Sequence, residues 1–575
     1  MKKLSTHIRE HLIWYVIAII SMIIGVALDM LSPQLTKRII DDVIGKGELA
    51  LLPWLLGGIL VVGLGRCIFM YIKEYFFDIT GAKIASNMRQ DLFHHVQGLS
   101  AEFFDRNNTG GLMARVKEDI DRIWDGVTYV GMLTIEVVIH VTMVLFCMYR
   151  LNWKLALIPT CIMIGCGALA IFLEKRLDKV YDAISEENAK LNTVAEENLG
   201  GVRTVKAFAR EKFEIQKFLS HNQRYYELNM EQSRVFVKYH PYFTLVTKLL
   251  PLIILLTGGY MVVQGEFTLG SLGAFIEYSN NIVWPMEMLG WLTNSFSSAV
   301  ASNKKLKKIY AETPDIKESD APVLLDKVQG QITFEHVSFS RNNTEILKDL
   351  NFTVRPGASL GIMGATGSGK SSVIHLLQRL YDCTEGRILL DGVDIRELSL
   401  KQLRESISVV MQDVFLFSDT INDNVKLGKQ SSITADVVRE SSHRAQASEF
   451  IERLEEQYET IIGERGVGLS GGQKQRISIA RAIAKKDPIL VMDDSTSALD
   501  METEHLIQQT LRELENTTKI IIAHLISAVR NADEILFLDN GCIAERGTHE
   551  ELLAQKGLYY ETYAAQYSLA PAVDF

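Results

Sequence analysis

Apolar residues crowd into the first half of this chain as long unbroken runs, and in the second half they thin into short runs between polar segments. A helix needs about 20 largely apolar residues to cross roughly 30 Å of hydrocarbon. Windows near 12–31, 51–71, 127–149, 153–173, 240–263 and 270–300 meet that requirement, so the pattern predicts six membrane helices and returns the chain to its starting side. The segments 72–126 and 174–239 are too long and polar for simple turns, yet they keep a helical pattern. They read as continuations of membrane helices beyond the bilayer, where about 25 residues at 1.5 Å each reach roughly 40 Å. Turns are predicted near Phe103-Phe104-Asp105, followed by Asn107 to Gly111, and near Val205 to Phe208. Aromatic tips on such levers suit docking onto a cytoplasmic partner or domain.

After Tyr310 the pattern changes. Pro314 and Pro322 punctuate a charged stretch, and strand-like runs follow at Ser359 to Met363, Ile407 to Met411, Ile489 to Met492, Ile520 to Ala523 and Ile535 to Leu538, interspersed with helical patterns. The predicted organisation is a membrane α-helical domain at 1–310, a linker at 311–330 and an α/β domain at 331–575.

Charge adds orientation. Lys and Arg number seven in 72–126 and twelve in 174–239, against three in 32–50, one in 150–152 and none in 264–269. The positive-inside bias therefore places both long segments and both termini in the cytoplasm of a multi-pass cell-membrane protein. Lys2, Lys3 and Arg9 precede an apolar run from Leu12 to Leu28 that is too long for a signal-peptide core, and it reads as a retained membrane helix. Across 575 residues, 60 Lys and Arg against 70 Asp and Glu leave a net charge of −10, which argues against a nucleic-acid partner. With 47% hydrophobic residues, 40 Gly and 11 Pro, disorder and collagen-like repeats are excluded. Cys67, Cys147, Cys161, Cys166, Cys383 and Cys542 form no C-x-x-C pair and read as small buried hydrophobes, with neither a disulfide framework nor a zinc site.

Two segments carry chemistry. Gly364-Ala365-Thr366-Gly367-Ser368-Gly369-Lys370-Ser371 follows the strand at Ser359 and opens a helix through Val373 to Leu380, the strand-loop-helix context of G-x-x-x-x-G-K-[ST]. Through Ser372 this stretch reads as a phosphate cradle: glycines turn backbone N–H groups onto phosphate oxygens, the helix N-terminus adds its positive end, and Lys370 adds a point charge. Ser371 would hold Mg2+. The apolar strand Ile489 to Met492 ends in Asp493-Asp494, delivering two carboxylates to the sheet edge where open α/β folds bind ligands. Asp493 suits Mg2+.

Leu469-Ser470-Gly471-Gly472-Gln473, ahead of a helix starting at Lys474, combines with the cradle before it and Asp493 after it. In these motifs the chain resembles the ATP-binding cassette transporters, and six membrane helices followed by one nucleotide domain look like a half-transporter of the exporter type. The resemblance makes 331–575 a nucleotide-binding domain of the P-loop kind and implies ATP and Mg2+ as cofactors. It implies that Gln412 touches Mg2+ and the attacking water, that Thr460 to Gly466 contacts the cytoplasmic levers, and that Ser497 to Asp500 communicates across a dimer. It further implies that His524 reaches the γ-phosphate, and that Ser470, Gly471, Gly472 and Gln473 face the nucleotide held by the other subunit.

Two departures from the family pattern stand out. The family's general base is Glu directly after the acidic-strand Asp, and this chain has Asp494, one methylene or about 1.5 Å shorter. A general base must come within about 2.6 to 3.2 Å of its water, and losing that reach costs about 10² to 10⁴ in rate. Arg341 stands where an aromatic ring usually stacks on adenine; a guanidinium also stacks on a base. A weak base beside an intact signature resembles the degenerate half of a heterodimeric multidrug exporter, whose partner is a different second half-transporter; a homodimer with two slow sites is the rival. The reading is ATP-driven export of amphipathic small molecules, drug or lipid-like. The alternatives are a regulatory or ATP-gated membrane ATPase, and an exporter-shaped importer of a metal chelate.

Charged residues inside membrane helices are costly and tend to face cavities or each other. Glu136, Lys248, Glu277, Trp284 and Glu287 are the predicted substrate-cavity residues, with Arg66 and His140 also in membrane windows, and Asp29 near the outer end of the first helix suggests an extracellular gate. Arg66 and Lys248 are candidates to pair with the acids. Membrane lipid is a further implied partner.

Overall fold

The structure, a computed structural model, describes residues 4–463 and 466–567; within these, the side chains at positions 5, 170, 174, 178, 240, 243, 287, 289, 290, 293 and 294, Glu287 and Asn294 among them, are outside the described set. The chain forms two compact units, Met1–Gly98 with Asn107–Thr313, and Leu99–Arg106 with Pro314–Phe575.

In the first unit, five helical runs among the described residues are long and apolar enough to cross a membrane: Leu12–Ile44, Leu49–Gln97, Thr109–Leu151, Trp153–Gly200 and Glu211–Val263. The sixth predicted window forms the 43-residue helix Leu269–Ala311, which is not among the five; Glu277, Asn280 and Asn281 interrupt its apolar stretch. Helices of 46, 48 and 53 residues, Leu52–Gln97, Trp153–Gly200 and Glu211–Val263, run about 70 to 80 Å at 1.5 Å per residue. That is more than twice the hydrocarbon thickness, so each carries a lever as well as a span. The core of this unit packs Met30, Val144, Met148, Leu250, Ile254, Phe275 and Tyr278 together, and the buried Tyr278 hydroxyl donates to the Met30 carbonyl at 2.7 Å.

The cysteines depart from the sequence reading. All six are free thiols, but only Cys166 is buried, while Cys67, Cys161 and Cys542 are exposed. An apolar stretch in a membrane helix does not imply an interior position, because such helices turn apolar side chains outward as well as inward; even the most apolar window of Leu49–Gln97 is only 6% buried.

The second unit is built on a six-stranded sheet and a four-stranded one. The four-stranded sheet is antiparallel, in the order β2-β1-β4-β5 with β1 Ile332–Arg341, β2 Thr344–Val354, β4 Glu385–Leu390 and β5 Val393–Asp394. The six-stranded order is β10-β9-β3-β8-β7-β6, with β3 Ser359–Gly364, β6 Ile407–Val410, β7 Ile489–Asp493, β8 Thr518–Ile522, β9 Glu534–Asp539 and β10 Cys542–Gly547. All its pairings are parallel except β9 with β10.

This sheet is covered on both faces, which explains why its strands read as continuous apolar runs. Ile489 and Val491 of β7, with Ile520 and Ile522 of β8, pack with Phe334, Phe352 and Leu377 on one side. Leu490, Met492 and Ile521 pack with Ile477, Ile507 and Val438 on the other. Each strand thus alternates its side chains between two cores.

Candidate functional site

Four adjacent parallel strands, β3, β8, β7 and β6, end at one edge of the sheet, and each leads into a predicted site residue. β3 runs into the phosphate loop, β8 is followed by His524, β7 ends at Asp493, and β6 is followed by Gln412. The sequence separates these residues by up to 160 positions; the strand order makes them neighbours. One cavity of about 370 Å³ is lined by Thr366, Gly367, Gly369, Lys370, Ser371, Ser372, Gln412, Asp493, Asp494 and His524, with Ile346 and Ile522 as apolar walls. Ile346 had no signal in the sequence beyond its place in an apolar strand. A larger hollow of about 990 Å³ touches Pro356, Pro488 and Thr517, which precede β3, β7 and β8, and carries none of the predicted site residues. Open α/β sheets bind ligands at the carboxyl ends of their strands, so the smaller cavity is the candidate site.

The phosphate loop has the local geometry its glycines require. Gly369 caps the helix Lys370–Leu377 at φ 94°, a left-handed conformation costly for residues with a Cβ, and a Cβ there would lie 2.5 Å from Leu347. The helix ends at Leu377, short of the predicted Leu380, as Arg379 turns to φ 50°. Lys370 is buried, its Nζ donating to the carbonyls of Gly364 and Ala365 at 2.8 Å each. Burial pushes its pKa down, opposed by Asp493 and Asp494.

The cavity's donor set suits Mg2+ and nucleotide phosphate. Ser371 hydrogen-bonds the Asp493 carboxylate, whose pKa burial raises, and Gln412 lines the same cavity. A carboxylate, a hydroxyl and an amide oxygen are the hard donors Mg2+ takes alongside phosphate oxygens. The buried Ser368 hydroxyl, within the loop, makes no hydrogen bond to another described group, a polar group left for a ligand to satisfy. The residues fit.

Asp494 is half-buried at φ 43°, in the left-handed region where Asp is enriched among non-glycine residues. Its N–H donates to the Ile522 carbonyl at 2.8 Å and its carbonyl accepts from the Ser497 hydroxyl at 3.0 Å. The turn that aims it is therefore tied both to β8 and to the loop that follows.

Ser470 and Gly471 are exposed and do not line this cavity. Ser470 caps the helix Gly471–Ala484 in a reciprocal box: its Oγ accepts from Gln473 N–H at 3.3 Å, and Gln473 Oε1 accepts from Ser470 N–H at 2.8 Å. A 14-residue helix N-terminus facing solvent is a ready seat for an anion brought by another chain. The Ser497 to Asp500 loop packs on it, with Ala498 N–H donating to Gln475 Oε1 at 3.2 Å. In the loop from Thr460 to Gly466, Ile462 N–H bonds the Asp419 carbonyl at 2.9 Å; Glu464 and Arg465 lie outside the described residues. Arg341 does not line the cavity.

In the membrane-helix unit, a second cavity of about 340 Å³ is lined by Asp29, Arg66, Lys73, Glu74, Glu136, His140 and Trp284 among others. Two ion pairs border it, Arg66 with Asp29 at 2.8 Å and Lys73 with Glu136 at 2.9 Å. Of the residues expected at a substrate cavity, Glu136 and Trp284 border this hollow, whereas Lys248 and Glu277 are not in its lining: Lys248 is exposed on its helix, and Glu277 hydrogen-bonds Ser32. Glu287 falls on an undescribed side chain. Lys73 escaped the sequence reading because it lies just past the apolar window ending near residue 71.

Residues 15–286 match the ABC transporter transmembrane region, and residues 347–497 match the ABC transporter family proper. An uncharacterized ABC transporter ATP-binding protein of Bacillus subtilis, YknU, is 36% identical, the match covering 97% of this chain and 95% of that one. An ATP-dependent lipid A-core flippase of Syntrophus aciditrophicus is 32% identical over 98% of this chain and 94% of its own. A putative multidrug export ATP-binding/permease protein of B. subtilis, YgaD, is 32% identical, covering 98% and 99%. Among solved structures, a bacterial Atm1-family ABC exporter with ATP bound superposes with a TM-score of 0.84 at 28% identity, covering 99% of both chains. With its strand-end cavity, membrane helices and relatives along nearly its whole length, the chain belongs to the ABC transporters, as a half-transporter of the exporter type.

Proposed function

We propose that this chain exports amphipathic small molecules, drug or lipid-like, as one half of a heterodimer, and that its own nucleotide site turns over slowly. The observation that carries the reading is the single cavity in which the phosphate loop, Gln412, Asp493, Asp494 and His524 meet, with the exposed Ser470 and Gly471 outside it. In this reading the loop N–H groups and Lys370 bind the phosphates, and Ser371, Asp493 and Gln412 hold Mg2+, which when bound offsets negative charge on the phosphates. Gln412 and His524 orient the attacking water and γ-phosphate. Asp494, the shorter carboxylate on a turn fixed by β8, accepts the water's proton poorly because it falls short in reach. The signature helix completes a competent site on the second half-transporter, a different chain. Both termini are cytoplasmic, and closure of the nucleotide domains on ATP drives the levers.

The relatives named as a multidrug export protein and a lipid flippase support an amphipathic cargo. The test is accumulation of a fluorescent amphipathic dye in inside-out vesicles carrying the assembled transporter. ATP-dependent accumulation against a gradient is expected. ATP hydrolysis with only downhill equilibration would make the chain a gated pathway instead, and saturable uptake in the opposite direction would make it an importer.

A further inference from the structure

The helix Leu558–Gln566 docks by one face. Tyr559, Tyr563 and Gln566 fall at spacings of four and three residues, which stacks them along one side of a helix. Tyr559 is buried in the core that also holds Ile526, Ala528 and Val529, and Tyr563 packs against that core. The start of the helix is seated by two further contacts. The Tyr559 hydroxyl hydrogen-bonds His549 Nδ1 at 2.7 Å, and the Glu545 carboxylate of β10 accepts from the N–H groups of Leu558 and Tyr559. Gln566 therefore stands at the end of a face whose position packing has already set.

Both ends of the Gln566 amide hold a single bend. Its Nε2 donates to the His524 carbonyl at 2.7 Å, and its Oε1 accepts from Ile526 N–H at 3.0 Å. Ile526 is fully covered and opens the short helix Ile526–Val529, so no intrahelical carbonyl reaches its N–H, and burying that group without a partner would be costly. Just before the bend, Ala523 N–H donates to the Ile362 carbonyl of β3 at 3.2 Å. The backbone that carries His524 is thus fixed upstream by the sheet and downstream by Gln566. His524 and Leu525 are themselves exposed, so backbone anchoring, more than packing of their own side chains, sets where the imidazole points. It points into the nucleotide cavity, whose lining holds His524 beside Lys370, Asp493 and Asp494 and does not hold Gln566.

We propose that Gln566 is a positioning residue for the γ-phosphate: by clamping the bend at its two backbone groups it keeps His524 aimed at the end of the nucleotide. Helix Leu558–Gln566 then belongs to the ATP-sensing part of this chain's site without touching ATP. The proposal rests on the reading of His524 as the residue that reaches the γ-phosphate.

Photolabelling the assembled transporter with 8-azido-ATP on ice, then separating the chains on a denaturing gel, reports this chain's site alone. Competition by Mg-ATP and by Mg-ADP, which differ by the γ-phosphate, isolates the contribution of His524. Gln566→Leu should raise the ATP concentration for half-displacement about three- to ten-fold, the effect of one or two modest hydrogen bonds, and leave that for ADP unchanged. Gln566→Glu keeps an acceptor for Ile526 N–H but sets a carboxylate against the His524 carbonyl, so it should shift ATP in the same direction and serves if Gln566→Leu does not assemble. Neither should add to the effect of His524→Ala, because the two residues act as one unit. Equal shifts for ATP and ADP would make Gln566 a structural prop and overturn the proposal, as would an unshifted ATP curve or additive effects. If His524→Ala itself leaves the ATP curve unchanged, the reading of His524 fails and the proposal falls with it.

Discussion

The Lys73 ammonium stands 2.9 Å from the Glu136 carboxylate, joining helices Leu52–Gln97 and Gly131–Leu151 across 63 positions of sequence, with side chains only 2% and 7% exposed. Two covered charges repay their desolvation only through each other, and removing one strands the other at a cost of about 3 to 5 kcal/mol. Glu74 also approaches Lys73, at 3.6 Å, but is 62% exposed, so it compensates in part and the lower end of that range is expected. Glu136→Gln should therefore lower thermal stability in a fixed detergent by about 3 kcal/mol, and Lys73→Met with Glu136→Leu should recover most of it. Equal stability of the single variant and the wild type would show that the pair is not buried in the working protein.

Lys370→Ala removes the one charge fixed inside the phosphate loop, where Nζ sits against two loop carbonyls. ATP occupancy of this chain's site should fall at least about tenfold, since charge-assisted hydrogen bonds are worth about 1.5 to 3 kcal/mol. Chain-resolved photolabelling measures it. Unaltered occupancy would remove Gly364 to Ser372 from the nucleotide site.

Gly471→Asp places a negative charge at the helix N-terminus that would otherwise attract phosphate. A Cβ at Gly471 meets only Ala498, at 3.7 Å, so the domain should fold. On the proposed reading, in which the signature serves the competent site and Asp494 the slow one, ATPase activity of the assembled transporter should fall further with Gly471→Asp than with Asp494→Ala. Similar, near-complete losses from both would point to two equivalent sites in a homodimer.

Asp494→Glu adds reach without changing charge. If the missing methylene disables the site, turnover at saturating Mg-ATP should rise about tenfold or more at this site, while Asp494→Asn changes the total rate little. Flat turnover in Asp494→Glu with unchanged binding would place a defect on the partner's side. Loss of nearly all hydrolysis in Asp494→Asn would identify Asp494 as a working base and end the degenerate-half reading.

The sequence alone determined what depends on short spacings. Apolar windows of about 20 residues marked the membrane helices because crossing hydrocarbon is a matter of length and polarity. Gly364 to Ser371 was legible because glycines, lysine and the helix start must be consecutive, and Leu469 to Gln473 because five consecutive residues carry the resemblance; the reciprocal cap of Ser470 and Gln473 was seen only in the structure. The apolar runs of β3, β7 and β8 marked strands of an α/β domain, and packing showed their sheet to be covered on both faces. Tertiary structure decided the rest. The order β3-β8-β7-β6 gathered Lys370, His524, Asp493 and Gln412, Lys73 found Glu136, and Asp105 reached Arg341 across 236 positions. Five of the six cysteines escaped full burial. Helical and strand periodicities fix which face of an element a residue occupies, but only strand pairing and helix packing choose the face it meets. Contacts between residues far apart in the chain follow from that choice, which no local spacing encodes.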